Sequence, residues 1–259
     1  MASRLKEEDF EVLRIPLESG RQGPAQLAVA LILGAIFMPL IYALEYYVAS
    51  YDSIFPYKQE ILNVHFWFTI ILAALSIVYA IPFIYRRSQK FQYLLSILVS
   101  QNLFTFPLFI CALFFIGRDG EGMKATPESL LNFTYVLLFI GLLVFVVTFI
   151  RFYILLRKGQ YRKGSRKEQL RTKFEKKSLL STAIFVGIGL VLVLQFIIRK
   201  SAINDFNMYG VVLIGITLFY VMLFILPEQL IILYCKMRFK SFNYNERGYL
   251  NGLETDLRG

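Results

Sequence analysis

LLNFTYVLLFIGLLVFVVTFIRFYILL, residues 130–156, is a run of 27 residues with one charge, Arg151. A helix rises about 1.5 Å per residue, so some ~20 apolar residues cross the roughly 30 Å hydrocarbon core of a bilayer. Lipid offers the backbone no hydrogen-bond partners, so only a helix or a closed barrel can cross it. Barrel strands are short and alternate apolar with polar residues, and this run does neither. It reads as a transmembrane helix.

Comparable runs lie on both sides of it, at 25–48, 64–85, 93–116, 179–198 and 209–235. Apolar residues make up 57% of the chain and aromatics 16%, and the mean hydropathy is +0.57. Those values leave too little polar surface for a soluble domain of this length. The expected fold is all-α: a polytopic membrane protein with six transmembrane helices filling 25–235. A short amphipathic segment, 1–24, precedes them, a basic loop occupies 157–177, and a tail of 236–259 follows. Leu5, Phe10, Val12, Leu13, Ile15 and Leu17 thread the first segment, which suggests a helix lying on the membrane surface. That segment has no apolar core of the signal-peptide kind, so the first run is expected to act as an uncleaved insertion signal. Pro24 opens the first run, and Thr126-Pro127-Glu128 reads as N-cap, first-turn proline and acidic first turn of the fourth.

The charges orient the spans. The net charge is +10, which in a soluble protein would raise nucleic-acid binding. With the N-terminus inside, 22 Lys and Arg residues fall in cytoplasmic segments and five in the outer loops (Lys58, Arg118, Lys124, Arg199, Lys200). Short cytoplasmic loops of membrane proteins carry this positive-inside excess, so both termini are expected in the cytoplasm of a cell-membrane protein. Topology then accounts for the charge, and no nucleic-acid partner is expected. Tyr46, Tyr47, Tyr51, Phe66, Trp67, Tyr85, Tyr153 and Tyr234 sit near span ends, as interfacial anchors do.

Motifs of chemistry are scarce. His65 is the one histidine, and Cys111 and Cys235 lie far apart at no metal-ligand spacing, so neither a metal nor a cofactor is expected. No Gly-rich phosphate loop and no Gly-x-Ser-x-Gly elbow occurs, and an enzyme is not expected. His65 reads as a solvated or packing residue near the outer end of its span. Ionisable and polar residues inside spans are costly in lipid and mark candidate sites. They are Glu45, Arg151, Glu228 with Gln229 beside Pro227, and the pair Gln101-Asn102. Glu45 is expected to reach the interface, Arg151 to snorkel or to pair with Glu228, and the two amides to hold helices together. Gly187, Gly189, Gly210 and Gly215 are expected to permit close helix approach.

The strongest polar feature is the basic loop. Ser165-Arg166-Lys167-Glu168 matches a capping box, with Leu170 and Phe174 following at helical spacing. Arg162, Lys163, Arg166, Lys167, Arg171 and Lys173 form a basic face suited to anionic headgroups or to a cytoplasmic partner. Two function classes fit. One is a non-enzymatic envelope protein, an immunity, sensor or assembly factor acting by helix–helix contact and through the basic loop, with homo-oligomerisation open to it. The other is a permease subunit of a transport system driven by a separate ATPase, an analogy of topology alone.

Overall fold

The computed structural model describes residues 5–118, 126–176, 204–245 and 247–253. The regular structure among these residues is helical, with no β-strand beyond two isolated bridges. The helices are α1 (Pro24–Leu44), α2 (Lys58–Ala80), α3 (Gln89–Phe104), α4 (Phe106–Ile116), α5 (Pro127–Arg157), α6 (Arg166–Lys176) and α7 (Asn204–Arg238). A π-helical turn, Glu45–Ala49, extends α1, and α3 with α4 acts as one segment. Five segments are therefore long and apolar enough to cross a membrane: Pro24–Ala49, Lys58–Ala80, Gln89–Ile116, Pro127–Arg157 and Gly210–Arg238. The chain is a membrane-embedded helical protein. The expected span at 179–198 lies outside the described residues.

Local chemistry explains where the bounds shift. The second span ends at Ala80 rather than near residue 85, because Pro82 holds Ile81 extended and starts a separate short helix, Pro82–Arg87. Within the third, Pro107 cannot donate to the carbonyl four residues back, and the helix steps at Thr105. Pro227, by contrast, is absorbed without ending α7. Thr126 caps α5 as expected: its Oγ accepts from the Ser129 amide at 3.2 Å, and Ser129 Oγ accepts from the Thr126 amide at 3.0 Å.

The segment α3–α4 is the hub. Its most apolar window is 61% buried, against 11% for α5 and 17% for α7. Phe109 of α4 stacks on Phe219 of α7 at 4.2 Å between ring centroids. Gly215 is what lets α7 approach: a Cβ there would stand 2.5 Å from the Leu108 carbonyl oxygen. A Cβ at Gly210 would meet nothing within 4 Å among the described residues, and Gly187 and Gly189 lie outside them. Along α5 and α7 large apolar side chains such as Phe139, Leu142, Val147 and Leu213 remain exposed, as lipid-facing helices require. Tyr47, Tyr51 and Trp67 are exposed as anchors, whereas Tyr85 is buried.

At one end of the bundle the non-spanning segments build a cap. The N-terminal segment does not lie on the surface as an independent helix. It forms a 3-10 stretch, Glu7–Arg14, and a single turn, Ile15–Glu18. Its Phe10, Leu13 and Leu17 join Tyr93, Phe152, Tyr161, Ile232 and Phe242 in one apolar cluster. Apolar partners from several distant segments are available there, so its apolar side chains are buried in protein.

Candidate functional site

Two polar constellations stand out among the described residues. The first lies inside the spans. The Glu45 side chain is 0% exposed and does not reach an interface. Its Oε2 stands 2.7 Å from Nδ1 of His65, whose own side chain is 6% exposed, so His65 is not solvated either. Nε2 of His65 is 3.0 Å from Oδ1 of Asn102, and the Asn102 amide nitrogen donates to Oγ1 of Thr69 at 3.0 Å. Carboxylate, imidazole, amide and hydroxyl thus form one chain across three segments: α1 with its π-turn, α2, and α3.

The local sequence sets this geometry. His65 and Thr69 are four residues apart and share a face of α2, which meets Asn102 near the step in α3. Glu45 opens the π-turn, a form in which one extra residue per turn re-aims side chains and which is frequent at functional sites. The ion-pair contact of Glu45 with His65 and the hydrogen bonds from His65 through Asn102 to Thr69 tie the three segments together. Neither carboxylate oxygen of Glu45 makes a geometrically formed hydrogen bond among the described residues, so the 2.7 Å approach of Oε2 to His65 Nδ1 is an electrostatic contact. A cavity of about 490 Å³, lined by His65, Glu60, Val64, Phe68, Phe106 and Ile110, opens beside the imidazole. Gln101 is turned elsewhere, accepting from the Thr105 hydroxyl at 2.7 Å beside the helix step. The pair Gln101-Asn102 is therefore split between two tasks.

The second constellation is the capped end. Arg162 reaches the buried Asp9, with its Nη2 and Nε each 2.7 Å from Oδ1. The Val12 amide donates to the Tyr161 carbonyl at 2.9 Å. From the other terminus, the Asn251 carbonyl accepts from Arg14 at 3.0 Å, and Gln89 exchanges two hydrogen bonds of 2.8 Å with the Tyr244 backbone. The Tyr244 hydroxyl donates to the Leu17 carbonyl at 2.6 Å, and burial pushes its pKa up to about 12. Lys236 is buried beneath, donating to the Phe242 carbonyl at 3.0 Å and lying over the Tyr93 ring.

The basic helix is where the capping box places it. The Glu168 amide donates to Ser165 Oγ at 3.3 Å, and the Glu168 carboxylate accepts from the Gly164 amide. Glu228 does not pair with Arg151. Its partner is Arg171 of α6, at 2.5 Å. Arg151 and Glu228 instead line opposite sides of one cavity. Lys167 lies over the Tyr161 ring and donates to its hydroxyl at 2.8 Å. Burial, then Arg171 and Arg151, lower the Lys167 pKa, while burial and the Glu228 charge raise that of Tyr161 to about 12. Arg162, Lys163 and Arg166 are exposed at the end of the molecule; Lys173 lies where side chains are not described. Oε1 of Gln229 has no hydrogen-bond partner among the described residues.

Sequence reasoning read His65 as a solvated or packing residue and passed over Thr69, Asp9, Tyr161 and Tyr244. The one available signal was the spacing of His65 and Thr69 on a helix otherwise apolar at that depth. Among the described residues no group of three or more His, Cys, Asp or Glu side chains is placed to hold a metal ion. No family model, no curated protein and no solved structure matches this chain.

Proposed function

We propose that this chain is a non-enzymatic, multi-pass protein of a cell membrane, with six spans and both ends in the cytoplasm, that docks a cytoplasmic protein partner on its basic face. Immunity, sensing and assembly are the classes of role this serves. The observation behind it is the cap: segments around residues 10, 89, 161 and 244 are bound to one another by side-chain and backbone bonds. These bonds order the loop that carries Arg162, Lys163 and Arg166, which lowers the ordering cost of binding an acidic partner there. The sixth span is supported by direction. Arg171 pairs with Glu228 at the capped end, whereas Asn204 opens α7 at the other end. The chain thus leaves the described residues at one end and resumes at the opposite one.

A permease subunit is the second reading, favoured by the Glu45–His65–Asn102–Thr69 chain inside the spans. Purification of the full chain from its own membranes in mild detergent separates the two. Under the first reading a stoichiometric cytoplasmic protein co-purifies, and Lys163→Glu with Arg166→Glu releases it. A co-purifying ATPase selects the permease. Retention of the partner by the charge-reversed variant sinks the docking proposal.

A further inference from the structure

We propose that the cavity between α5, α6 and α7 binds the phosphate headgroup of a single anionic membrane lipid. The cavity measures about 380 Å³, and Thr148, Arg151, Tyr161, Lys167, Phe224 and Glu228 are among its lining residues. Two cations, Arg151 and Lys167, and one carboxylate, Glu228, line it. Arg171 takes Glu228. The hydrogen-bond partner of Lys167 is the neutral Tyr161 hydroxyl, and Arg151 makes no hydrogen bond or ion pair among the described residues. Among the described residues Arg151 and Lys167 have no ion-pair partner of their own, because the Glu228 carboxylate that lines the same cavity is bound by Arg171. Burial is the main cause that lowers the Lys167 pKa; the charges of Arg171 and Arg151 add to it by repulsion, and Glu228 acts the other way. An anion seated between Arg151 and Lys167 relieves that repulsion.

The surroundings identify the anion as a lipid. The remaining wall is apolar, formed by Phe152, Leu155, Phe224 and Ile225. Phe224 and Ile225 are 51% and 40% exposed, and Ile150 and Ile154 continue the exposed apolar surface on α5 at 52% and 45%. Arg151 lies six residues before the end of α5 and Glu228 ten before the end of α7. Cations near a span terminus with an apolar surface beside them match a headgroup whose acyl chains run along the helices. This site is separate from the docking face, because Arg162, Lys163 and Arg166 do not line it.

Native mass spectrometry of the full-length protein, delipidated in detergent and then released from nanodiscs, tests the assignment. From discs mixing phosphatidylglycerol and phosphatidylcholine, the wild type should carry one phosphatidylglycerol. A headgroup contact contributes on the order of 1 kcal/mol per basic residue, or about fivefold, so Arg151→Gln with Lys167→Gln should weaken retention by roughly 25-fold. Arg151→Lys keeps the charge and should keep the lipid even where the double variant folds poorly. Lys163→Gln with Arg166→Gln should leave retention unchanged. Equal retention by wild type and the double variant, or equal capture of phosphatidylcholine, overturns the proposal. Displacement of the lipid by millimolar inorganic phosphate also overturns it, and assigns the site to a soluble anion.

Discussion

Glu45 and His65 show how much a single contact governs. A carboxylate fully withdrawn from solvent is tolerable only with a partner that carries or shares its proton, and His65 supplies one at 2.7 Å. Replacing His65 by Leu leaves Glu45 buried alone, and a loss of about 3 kcal/mol or more is expected. Adding Glu45→Gln to that variant removes the stranded charge and should recover much of the loss, as thermal unfolding in detergent would show. If the double variant is no more stable than His65→Leu, the pair is not coupled in this way. Tyr244 offers a second residue-level prediction, this one in pH. Its folded pKa stands at about 12 against an ordinary 10.0, so between those values the folded state holds a proton that the unfolded state has released. Stability from this group is therefore complete below pH 10 and is lost as pH rises toward 12. Ionisation also removes the bond to the Leu17 carbonyl. Tyr244→Phe should flatten part of the alkaline loss, read from unfolding temperature across that range.

Among the elements, α7 depends on the absence of a side chain at Gly215. A Cβ there meets the Leu108 carbonyl at 2.5 Å and the Ala112 Cβ at 3.0 Å, both on a packed helix with little room to yield. Gly215→Val should cost roughly 1–3 kcal/mol through overpacking, whereas Gly210→Val, with nothing within 4 Å among the described residues, should change little. Comparing the two unfolding temperatures separates packing from helix propensity, which is the same in both. Helix α6 owes its position to three contacts: the Ser165 cap, the Lys167–Tyr161 contact and the Arg171–Glu228 pair. The capping box and the basic residues were readable from Ser165 onward. Which glutamate Arg171 would meet was not, since residues 171 and 228 are 57 positions apart and meet only in the tertiary structure.

At the scale of the whole molecule, the cap joins both termini to the loop after α5. Asp9 is buried and Arg162 is its ionic partner, so Asp9→Ala strands little charge but opens the joint between the N-terminal segment and that loop. Limited proteolysis of Asp9→Ala should cut within the first 20 or so residues at low protease, while the spans stay intact. Arg162→Ala leaves the Asp9 carboxylate buried and should expose the same sites more strongly. Equal resistance of wild type and both variants would mean the apolar contacts of Phe10, Leu13 and Leu17 hold the segment without the ion pair.

The membrane class, five of the helical segments and the α5 N-cap followed from the sequence because they depend on local facts: run length, hydropathy and the side chain at one cap. Pro82 and Pro107 also carried their message locally, although the apolar run through residue 85 masked the first. The capped end, the Glu45–His65–Asn102–Thr69 chain and the switch of Glu228 from Arg151 to Arg171 were decided by tertiary structure. Each joins residues from separate helices, and a uniformly apolar sequence does not say which faces of those helices meet. In lipid an apolar face can remain exposed without penalty, so hydropathy marks a span while leaving its rotation and neighbours open. Close approach at Gly215 and the need to partner buried polar groups settle what hydropathy leaves undetermined.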